Sequence, residues 1–230
     1  MNGKRNGKGK EFYDNGKLRF EGEYLNGEKN GKGKEFDECG HLVFDGEYSR
    51  GNKIKGKYKS YDYSGKLQLE GECLNGELNG KVKEYYGNKK LSFEGEYLNG
   101  KRNGKFKDYH FDGKLRLEGE YLNGKLNGKI KEYSHEGQLR FEGEYLNGNK
   151  NGYGREYNDE GKIIFEGGYF HGYRYGFGKE YYVDGKLKFE GEYSAGERHG
   201  KGKEYYNNGK LKCESEYYFG ERKNKLCIIY

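Results

Sequence analysis

The amino-acid sequence predicts an all-β protein: an elongated, twisted, single antiparallel sheet of tandem β-hairpins, each about 24 residues long. Three observations predict this class. The segment EGEYLNG recurs letter for letter, starting at Glu21, Glu94, Glu118 and Glu142. Within each repeat, apolar residues alternate with charged ones, which is the period of a half-buried strand. Segments rich in glycine and asparagine separate the alternating stretches, and such segments close hairpins.

The composition favours an ordered repeat over a disordered chain. Of the 230 residues, only 31% are hydrophobic and 36% are charged, which is a balance typical of disorder. However, 17% are aromatic, including 26 tyrosines, and these are evenly spaced. We therefore expect a thin core of Tyr, Phe and Leu. No segment is apolar enough to cross a bilayer, and the N-terminal residues do not form a signal peptide.

The repeat is counted on the glycine of the E-G-E-Y segment. It recurs every 24 residues, with one interval of 25, in nine copies: Gly22, Gly46, Gly71, Gly95, Gly119, Gly143, Gly167, Gly191 and the variant Ser215. This period predicts one domain over residues 1–230. It consists of a partial unit at 1–16, nine hairpin units over about 17–220, and a divergent C-terminal strand at 221–230.

Each unit contains two predicted strands. In the first, KLRFEGEYL, the residues of one face are Leu18, Phe20, Gly22 and Tyr24. The segment NGEKNG closes a hairpin, KGKEF is the second strand, and DECG turns the chain into the next unit. An aromatic residue at Phe36 and at the matching positions has the opposite parity, so a bulge or a sharp strand end is needed there.

The opposite face carries charges in register. The Glu21 position is acidic in all nine copies, and the Lys10 position is basic through Lys203. Neighbouring strands therefore present opposite charges. Each exposed pair contributes at most about 1 kcal/mol, so these columns favour solubility and strand register more than stability.

The segment FEGEYLNGEKNGKGKEF resembles the MORN repeat (membrane occupation and recognition nexus), whose pattern is Y-x-G-x-aromatic-x-x-G-x-x-x-G-x-G. The matching positions are Gly22, Tyr24, Gly27, Gly31 and Gly33. The GKxKEYY half of the unit is more similar to variant MORN repeats of bacterial proteins, often described as antitoxin or immunity components. The resemblance implies a scaffold, a tether or a self-associating module.

Several function classes are disfavoured. The five histidines occupy different repeat positions, mostly in turns, so no catalytic residue, metal ligand or cofactor is expected. The four cysteines show no C-x-x-C spacing; free thiols acting as small hydrophobic residues are expected, which favours a cytoplasmic location, with a membrane-peripheral one as the alternative. Because glutamate columns accompany the lysines, the sequence argues against a nucleic-acid partner.

The repeat is most altered between Gly152 and Tyr181. Tyr153 and Phe177 take positions that are Lys in most copies, and Gly168 replaces a glutamate that the other eight copies keep. Because their strands are consecutive in a meander, we expect these residues to be neighbours. The sequence predicts a protein-partner site at Tyr153, Arg155, Gly168, Phe170, His171, Tyr173, Arg174, Tyr175 and Phe177. Neutral drift of a tolerant surface is the alternative.

The C-terminal segment ERKNKLCIIY also departs from the repeat. A strand apolar on both faces predicts a cap or a self-association edge at Leu226, Ile228, Ile229 and Tyr230. An alternative is lipidation of Cys227, since CIIY fits the C-a-a-X pattern.

The function predicted from the sequence is a non-catalytic scaffold or adaptor that binds a protein partner, still unidentified, through one surface of the sheet. One alternative is a bacterial antitoxin or immunity protein that blocks a toxin with the same surface. Another is a peripheral membrane tether or a self-assembling structural protein, although interleaved charges give little support to a lipid partner.

Overall fold

Two compact units make up the chain, residues 1–113 and 114–230, and the computed structural model describes residues 3–223. All regular secondary structure in residues 3–223 is β-strand. Those residues contain no helix with the length and apolar character needed to cross a membrane. The described part of the first unit holds β1 (Gly7–Phe12), β2 (Leu18–Leu25), β3 (Glu28–Phe36), β4 (Leu42–Ser49), β5 (Asn52–Tyr61), β6 (Leu67–Leu74), β7 (Glu77–Tyr85), β8 (Leu91–Leu98) and β9 (Lys101–Tyr109). That of the second holds β10 (Leu115–Leu122), β11 (Lys125–Tyr133), β12 (Leu139–Leu146), β13 (Asn149–Tyr157), β14 (Ile163–Phe170), β15 (Tyr173–Tyr181), β16 (Leu187–Ser194), β17 (Glu197–Tyr205), β18 (Leu211–Tyr218) and β19 (Glu221–Arg222).

Within each unit, every strand pairs antiparallel with the next one along the chain. The predicted all-β class and the predicted tandem hairpins are therefore confirmed. The grouping of residues 1–230 into one domain stays a prediction.

A two-residue turn closes the hairpin inside each repeat. Asn26 and Gly27 connect β2 to β3, with φ angles of 51° and 89°. Positive φ at both central residues defines the type I′ turn, whose twist matches that of the flanking strands. The predicted NGEKNG connection is thus shorter than its sequence signal, because only its first two residues form the turn.

The remaining residues of that segment form a wide bulge. Tyr24 pairs with Lys29 and Gly22 pairs with Gly33, so the three residues 30–32 oppose Glu23 alone. Gly31 adopts a φ of 98° at this point, which explains a glycine here. A second register shift between Glu35 and Phe36 supplies the irregularity that the parity of Phe36 requires.

The core lies on one face of the strands and consists largely of alternating phenylalanine and tyrosine rings. Phe165 on β14 is fully buried and meets Tyr169 edge-on at a centroid distance of 5.8 Å. It meets Tyr193 of β16 in the same way at 5.2 Å. Edge-to-face pairs of this kind add about 0.5–1.5 kcal/mol beyond the area that they bury. A ladder of such pairs stabilises a chain that has few aliphatic residues.

Glycines under the phenylalanine rings make this packing close. A Cβ placed on Gly178 would lie 2.7 Å from Cζ of Phe165, and one on Gly167 would lie 2.6 Å from the Cα of Gly178. In hairpin β10–β11 the position of Phe165 is taken by Leu117, and that of Gly178 by Ile130, which is buried. In hairpin β8–β9 both positions hold a phenylalanine, Phe93 and Phe106, with stacked rings 6.1 Å apart. The two positions are therefore adjacent, and a large residue at one is accommodated by the choice of residue at the other.

Charged side chains cover the outer side of these rings, which the sequence did not predict. The guanidinium carbon of Arg198 lies 4.0 Å from the centroid of Phe189, and its nitrogens donate to Glu180 at 2.7 Å and 2.9 Å. Tyr193 donates to the same carboxylate at 2.6 Å. Burial opposes the ionisation of Glu180, yet these donors hold its pKa below the usual range. The aromatic face is therefore bordered by satisfied ion pairs.

The cysteines correct one prediction. Cys73 and Cys213 lie in the buried aromatic columns, with 5% and 0% exposure, as small apolar residues would. Cys39 and Cys73 are free thiols. Cys213 is disulfide-bonded, so the prediction of a free thiol is wrong for that residue.

Candidate functional site

The three largest departures from the repeat are neighbours on consecutive strands. Tyr153 on β13 pairs directly with Gly168 on β14. On β15, the bulge places residues 175–177 opposite Gly168, since Gly167 pairs with Gly178 and Tyr169 pairs with Arg174. Tyr153 and Phe177 are 49% and 59% exposed. An aromatic ring therefore stands on each side of a residue without a side chain.

Gly168 removes a carboxylate from the bulge. In the preceding hairpin, the carboxylate of Glu144 lies against the bulge glycine Gly152, so closely that a Cβ on Gly152 would contact it. At the corresponding Gly176 no atom lies within 4 Å of such a Cβ. The change from glutamate to glycine thus removes a negative charge between the two aromatic rings, although Gly128 is equally uncovered in a hairpin that keeps its glutamate, Glu120.

Hydrogen bonds orient Tyr153 on this surface. Its hydroxyl donates to Oε2 of Glu166 at 2.8 Å, and Tyr181 donates to Oε1 of the same carboxylate at 2.6 Å. Nε of Arg155 donates to Oε2 of Glu166 at 3.3 Å, and the guanidinium carbon lies 5.7 Å from the centroid of the Tyr153 ring. The ring is therefore held in place while about half of its residue surface stays exposed.

A second aromatic group lies at the adjoining hairpin end. The rings of Phe170 and Tyr175 are 5.5 Å apart, and both residues are about half exposed, at 51% and 54%. His171 is the first residue of the two-residue turn and has a φ of 50°. The centroid of its ring lies 4.2 Å from that of Phe170. Tyr173 is 62% exposed. We define the aromatic patch as the residues that this arrangement brings together: Tyr153, Gly168, Phe170, Tyr175 and Phe177.

Arg174 does not belong to this surface. Its guanidinium carbon lies 3.9 Å from the centroid of the buried Phe165, and its Nε donates to Glu156 at 3.3 Å. The structure therefore places Arg174 on the face opposite Tyr153 and Phe177. The turn consists only of His171 and Gly172, so Arg174 lies within β15, four residues before Gly178 and on the same core face.

Sequence reasoning missed a row of exposed apolar residues beside the patch. Leu122, Leu146 and Phe170 end three alternate strands of the second unit, and each is 51–52% exposed. The sequence does contain the information, since the leucine of EGEYLNG alternates in step with the two glutamates and therefore lies on the charged face. Phe170 therefore joins the aromatic patch to an apolar row that follows the hairpin ends.

The remaining predicted sites lie outside the described residues. These are the self-association or cap residues Leu226, Ile228, Ile229 and Tyr230, and the lipidation residue Cys227. They stay predictions.

A ladder of tyrosine–carboxylate hydrogen bonds crosses the charged face. Tyr85 donates to Glu70 at 2.7 Å, and Tyr133 and Tyr157 make equivalent bonds to Glu118 and Glu142 at 2.7 Å and 2.6 Å. Burial, and then the hydrogen bond to the carboxylate, raise the pKa of each of these three tyrosines to about 12. The tyrosines at the repeat position of Phe36 thus hold the glutamates at the position of Glu21 in place by hydrogen bonds.

This ladder predicts a loss of stability at alkaline pH. Because the folded-state pKa of these tyrosines lies above the ordinary 10.0, their contribution is fully present below pH 10 and is lost as the pH rises through about 12. We expect the melting temperature to fall across this interval, measured by circular dichroism. The variant Tyr133→Phe/Tyr157→Phe keeps the rings and should show a shallower fall. Equal slopes in the two proteins would contradict the assignment.

The strands, turns and bulges define a tandem β-hairpin repeat protein. Comparison with family models identifies the family of this repeat. Residues 20–37, 118–129, 141–162 and 189–210 match the MORN repeat, and residues 5–26, 54–72, 78–99, 102–123 and 126–147 match the MORN repeat variant. Since these segments together cover more than half of the chain, the protein belongs to the MORN-repeat family. The resemblance inferred from Gly22, Tyr24 and the spaced glycines is therefore confirmed.

Other comparisons add little. No curated protein matches the chain. Among solved structures, the crystal structure of TarM is similar at 12% identity and a TM-score of 0.25, over 42% of this chain and 20% of that chain. The crystal structure of TcdB2-TccC3-Cdc42 is similar at 11% identity and a TM-score of 0.21, over 89% of this chain and 14% of that chain. At these TM-scores neither similarity bears on function.

Proposed function

We propose that this MORN-repeat chain is a non-catalytic scaffold that binds a protein partner through the aromatic patch. The observation that carries the proposal is the adjacency of Tyr153, Gly168 and Phe177 on three consecutive strands. Three separate departures from the repeat coincide at one place on one face. Exposed aromatic residues on rigid strands have the composition of a binding hot spot.

The state of these residues before binding also supports the proposal. Tyr153 is oriented by its bond to Glu166, and Phe170 packs against Tyr175. An aromatic side chain that is already ordered loses little conformational entropy when a partner covers it. At position 168 the backbone of the β15 bulge approaches so closely that a Cβ would lie 2.2 Å from the carbonyl oxygen of Tyr175, so glycine is required between the two exposed rings.

Reversion of the patch to the repeat consensus tests the proposal. The variant Tyr153→Lys/Phe177→Lys restores the residue that most other copies carry at both positions, so we expect it to fold normally. We expect it to weaken partner binding roughly tenfold or more, as loss of hot-spot aromatic residues does. Affinity capture from the native extract, read by mass spectrometry, identifies the partner, and titration with the purified partner gives Kd.

A matched control carries the same chemical change elsewhere. Leu74→Lys/Leu98→Lys replaces two apolar residues of the first unit that are 44% and 47% exposed. This variant should bind the partner like the wild type. If all three proteins capture the same partners with equal affinity, the patch has no binding role. If the captured partner is a toxin, the scaffold acts as an antitoxin. If no protein is captured and the chain instead binds anionic vesicles, a membrane tether is favoured.

A further inference from the structure

One turn of the first unit brings together three side chains that bind transition metals. The turn joins β3 to β4 and contains Asp37, Cys39 and His41, at alternate positions of the segment DECGH. One oxygen, one sulfur and one nitrogen from these residues all lie within 4.8 Å of one another. This turn therefore gathers a carboxylate, a thiol and an imidazole at one point.

The backbone of the turn fixes the carboxylate. Oδ1 of Asp37 accepts hydrogen bonds from the amides of Cys39 and His41 at 3.0 Å and 2.8 Å. The other oxygen, Oδ2, is left to face the imidazole, and Nδ1 of His41 lies 2.9 Å from it. The carboxylate is thus held with one oxygen directed at the other two side chains.

The imidazole is fixed as well. The ring of His41 stacks on that of Tyr61 from the next strand, at a centroid distance of 4.6 Å and an interplanar angle of 23°. Its side chain is 34% exposed. Cys39 is an exposed free thiol, so it can approach an ion held by the other two groups. Two oriented donors and one exposed thiol are a workable set for a cation.

The turn does not need the thiol or the imidazole for its own fold. In the turn between β13 and β14, Oδ1 of Asn158 accepts from the amides of Glu160 and Lys162 at 3.0 Å and 2.9 Å. The backbone bonds are the same, but Glu160 and Lys162 stand where Cys39 and His41 stand in the first unit. The residues that turn the chain and the residues that could bind a metal are therefore separable.

The donor set indicates the metal. Thiolate, imidazole and carboxylate together suit Zn²⁺, at bond lengths of about 2.0–2.3 Å, whereas Mg²⁺ and Ca²⁺ prefer oxygen alone. Tetrahedral coordination at such lengths separates donors by roughly 3.3–3.8 Å. The 2.9 Å between Nδ1 of His41 and Oδ2 of Asp37 needs only a small opening to admit the ion.

We propose that Asp37, Cys39 and His41 bind one Zn²⁺ ion per chain at the β3–β4 turn. The three side chains leave one coordination position open to solvent, where water or a donor from another molecule binds. Zinc binding releases the proton of the Cys39 thiol to solvent, and His41 ligates through Nδ1 as the neutral imidazole with its proton on Nε2. The site lies in the first unit and is independent of the aromatic patch, so either proposal can fail without the other.

Cobalt titration tests this site, because Co²⁺ bound to a thiolate has a charge-transfer absorption band that Zn²⁺ lacks. We expect the full-length protein, with its disulfide intact and Cys39 as a free thiol, to bind one Co²⁺ with this band and to release it when Zn²⁺ is added. Cys39→Ser should abolish the band. His41→Lys, which introduces the residue found at this position in most other turns, should abolish tight binding while circular dichroism stays unchanged.

A gain of binding provides the matched control. Asn158→Asp/Glu160→Cys/Lys162→His copies the three donors into the turn between β13 and β14, and this variant should bind a second Co²⁺. The proposal fails if the wild type shows no thiolate–cobalt band, or if the band survives Cys39→Ser. It fails also if His41→Lys retains the wild-type affinity, since the thiol alone would then account for binding.

Discussion

Phe165→Ala should lower the free energy of unfolding by about 3–5 kcal/mol, the range found when a buried aromatic ring is removed. Phe165 has no exposed surface, contacts Tyr169 and Tyr193 edge-on, and lies beneath the guanidinium of Arg174. Its removal opens a cavity between two glycines that have no side chains to fill it. Urea unfolding followed by circular dichroism measures the change.

Phe177→Ala is the matched control for that prediction. The residue type is the same, but Phe177 is 59% exposed and lies on the other face of the strands. We expect a change within about 0.5 kcal/mol, as is usual for surface substitutions. Equal destabilisation by the two variants would mean that the core is not confined to the Phe165 face.

The second large effect concerns the adjacent positions of Phe165 and Gly178. Gly178→Ile should destabilise the protein by about 1–3 kcal/mol or more, because its Cβ alone would lie 2.7 Å from Cζ of Phe165. Adding Phe165→Leu reproduces the pair Leu117 and Ile130 of the β10–β11 hairpin. We therefore expect the double variant to be more stable than the sum of the two single changes predicts.

A double-mutant cycle measures this coupling. The free energies of unfolding of the wild type, both single variants and the double variant give an interaction energy, which we expect to be at least about 1 kcal/mol and favourable. Additive changes would show that a large residue at one position is not accommodated by the residue at the other. In that case the alternation of phenylalanine with leucine along the column would have another cause.

The periodic part of the fold could be predicted from the sequence because each residue there faces neighbours of its own type. The Phe20 column is phenylalanine, leucine or cysteine and the Tyr24 column is tyrosine except at Cys73, so their alternation with charged residues reports the buried face directly. The asparagine–glycine turn is equally local, since positive φ at both positions restricts the residues that fit. Such features depend only on contacts within one hairpin or between adjacent ones.

The candidate site was predicted less completely, because the length of the hairpin turn decides which residues belong to a strand and hence which face they take. Tyr153, Gly168 and Phe177 were placed together correctly from strand order alone. Arg174 was assigned to the same surface as part of the adjoining turn, whereas the turn is only two residues long and Arg174 lies in β15 on the core face. The Asp37, Cys39 and His41 cluster was missed because the cysteines were compared with one another, whereas the turn unites three different residue types.

The register of these hairpins also has a consequence for how such a chain changes in evolution. Each hairpin presents to the next one nearly the same surface that it receives from the previous one, and the segments starting at Glu118 and Glu142 are identical. Removal or duplication of the 24 residues between them joins strands that already match. Length in this lineage should therefore vary in whole repeats, and a gain or loss of one should leave the neighbouring hairpins folded.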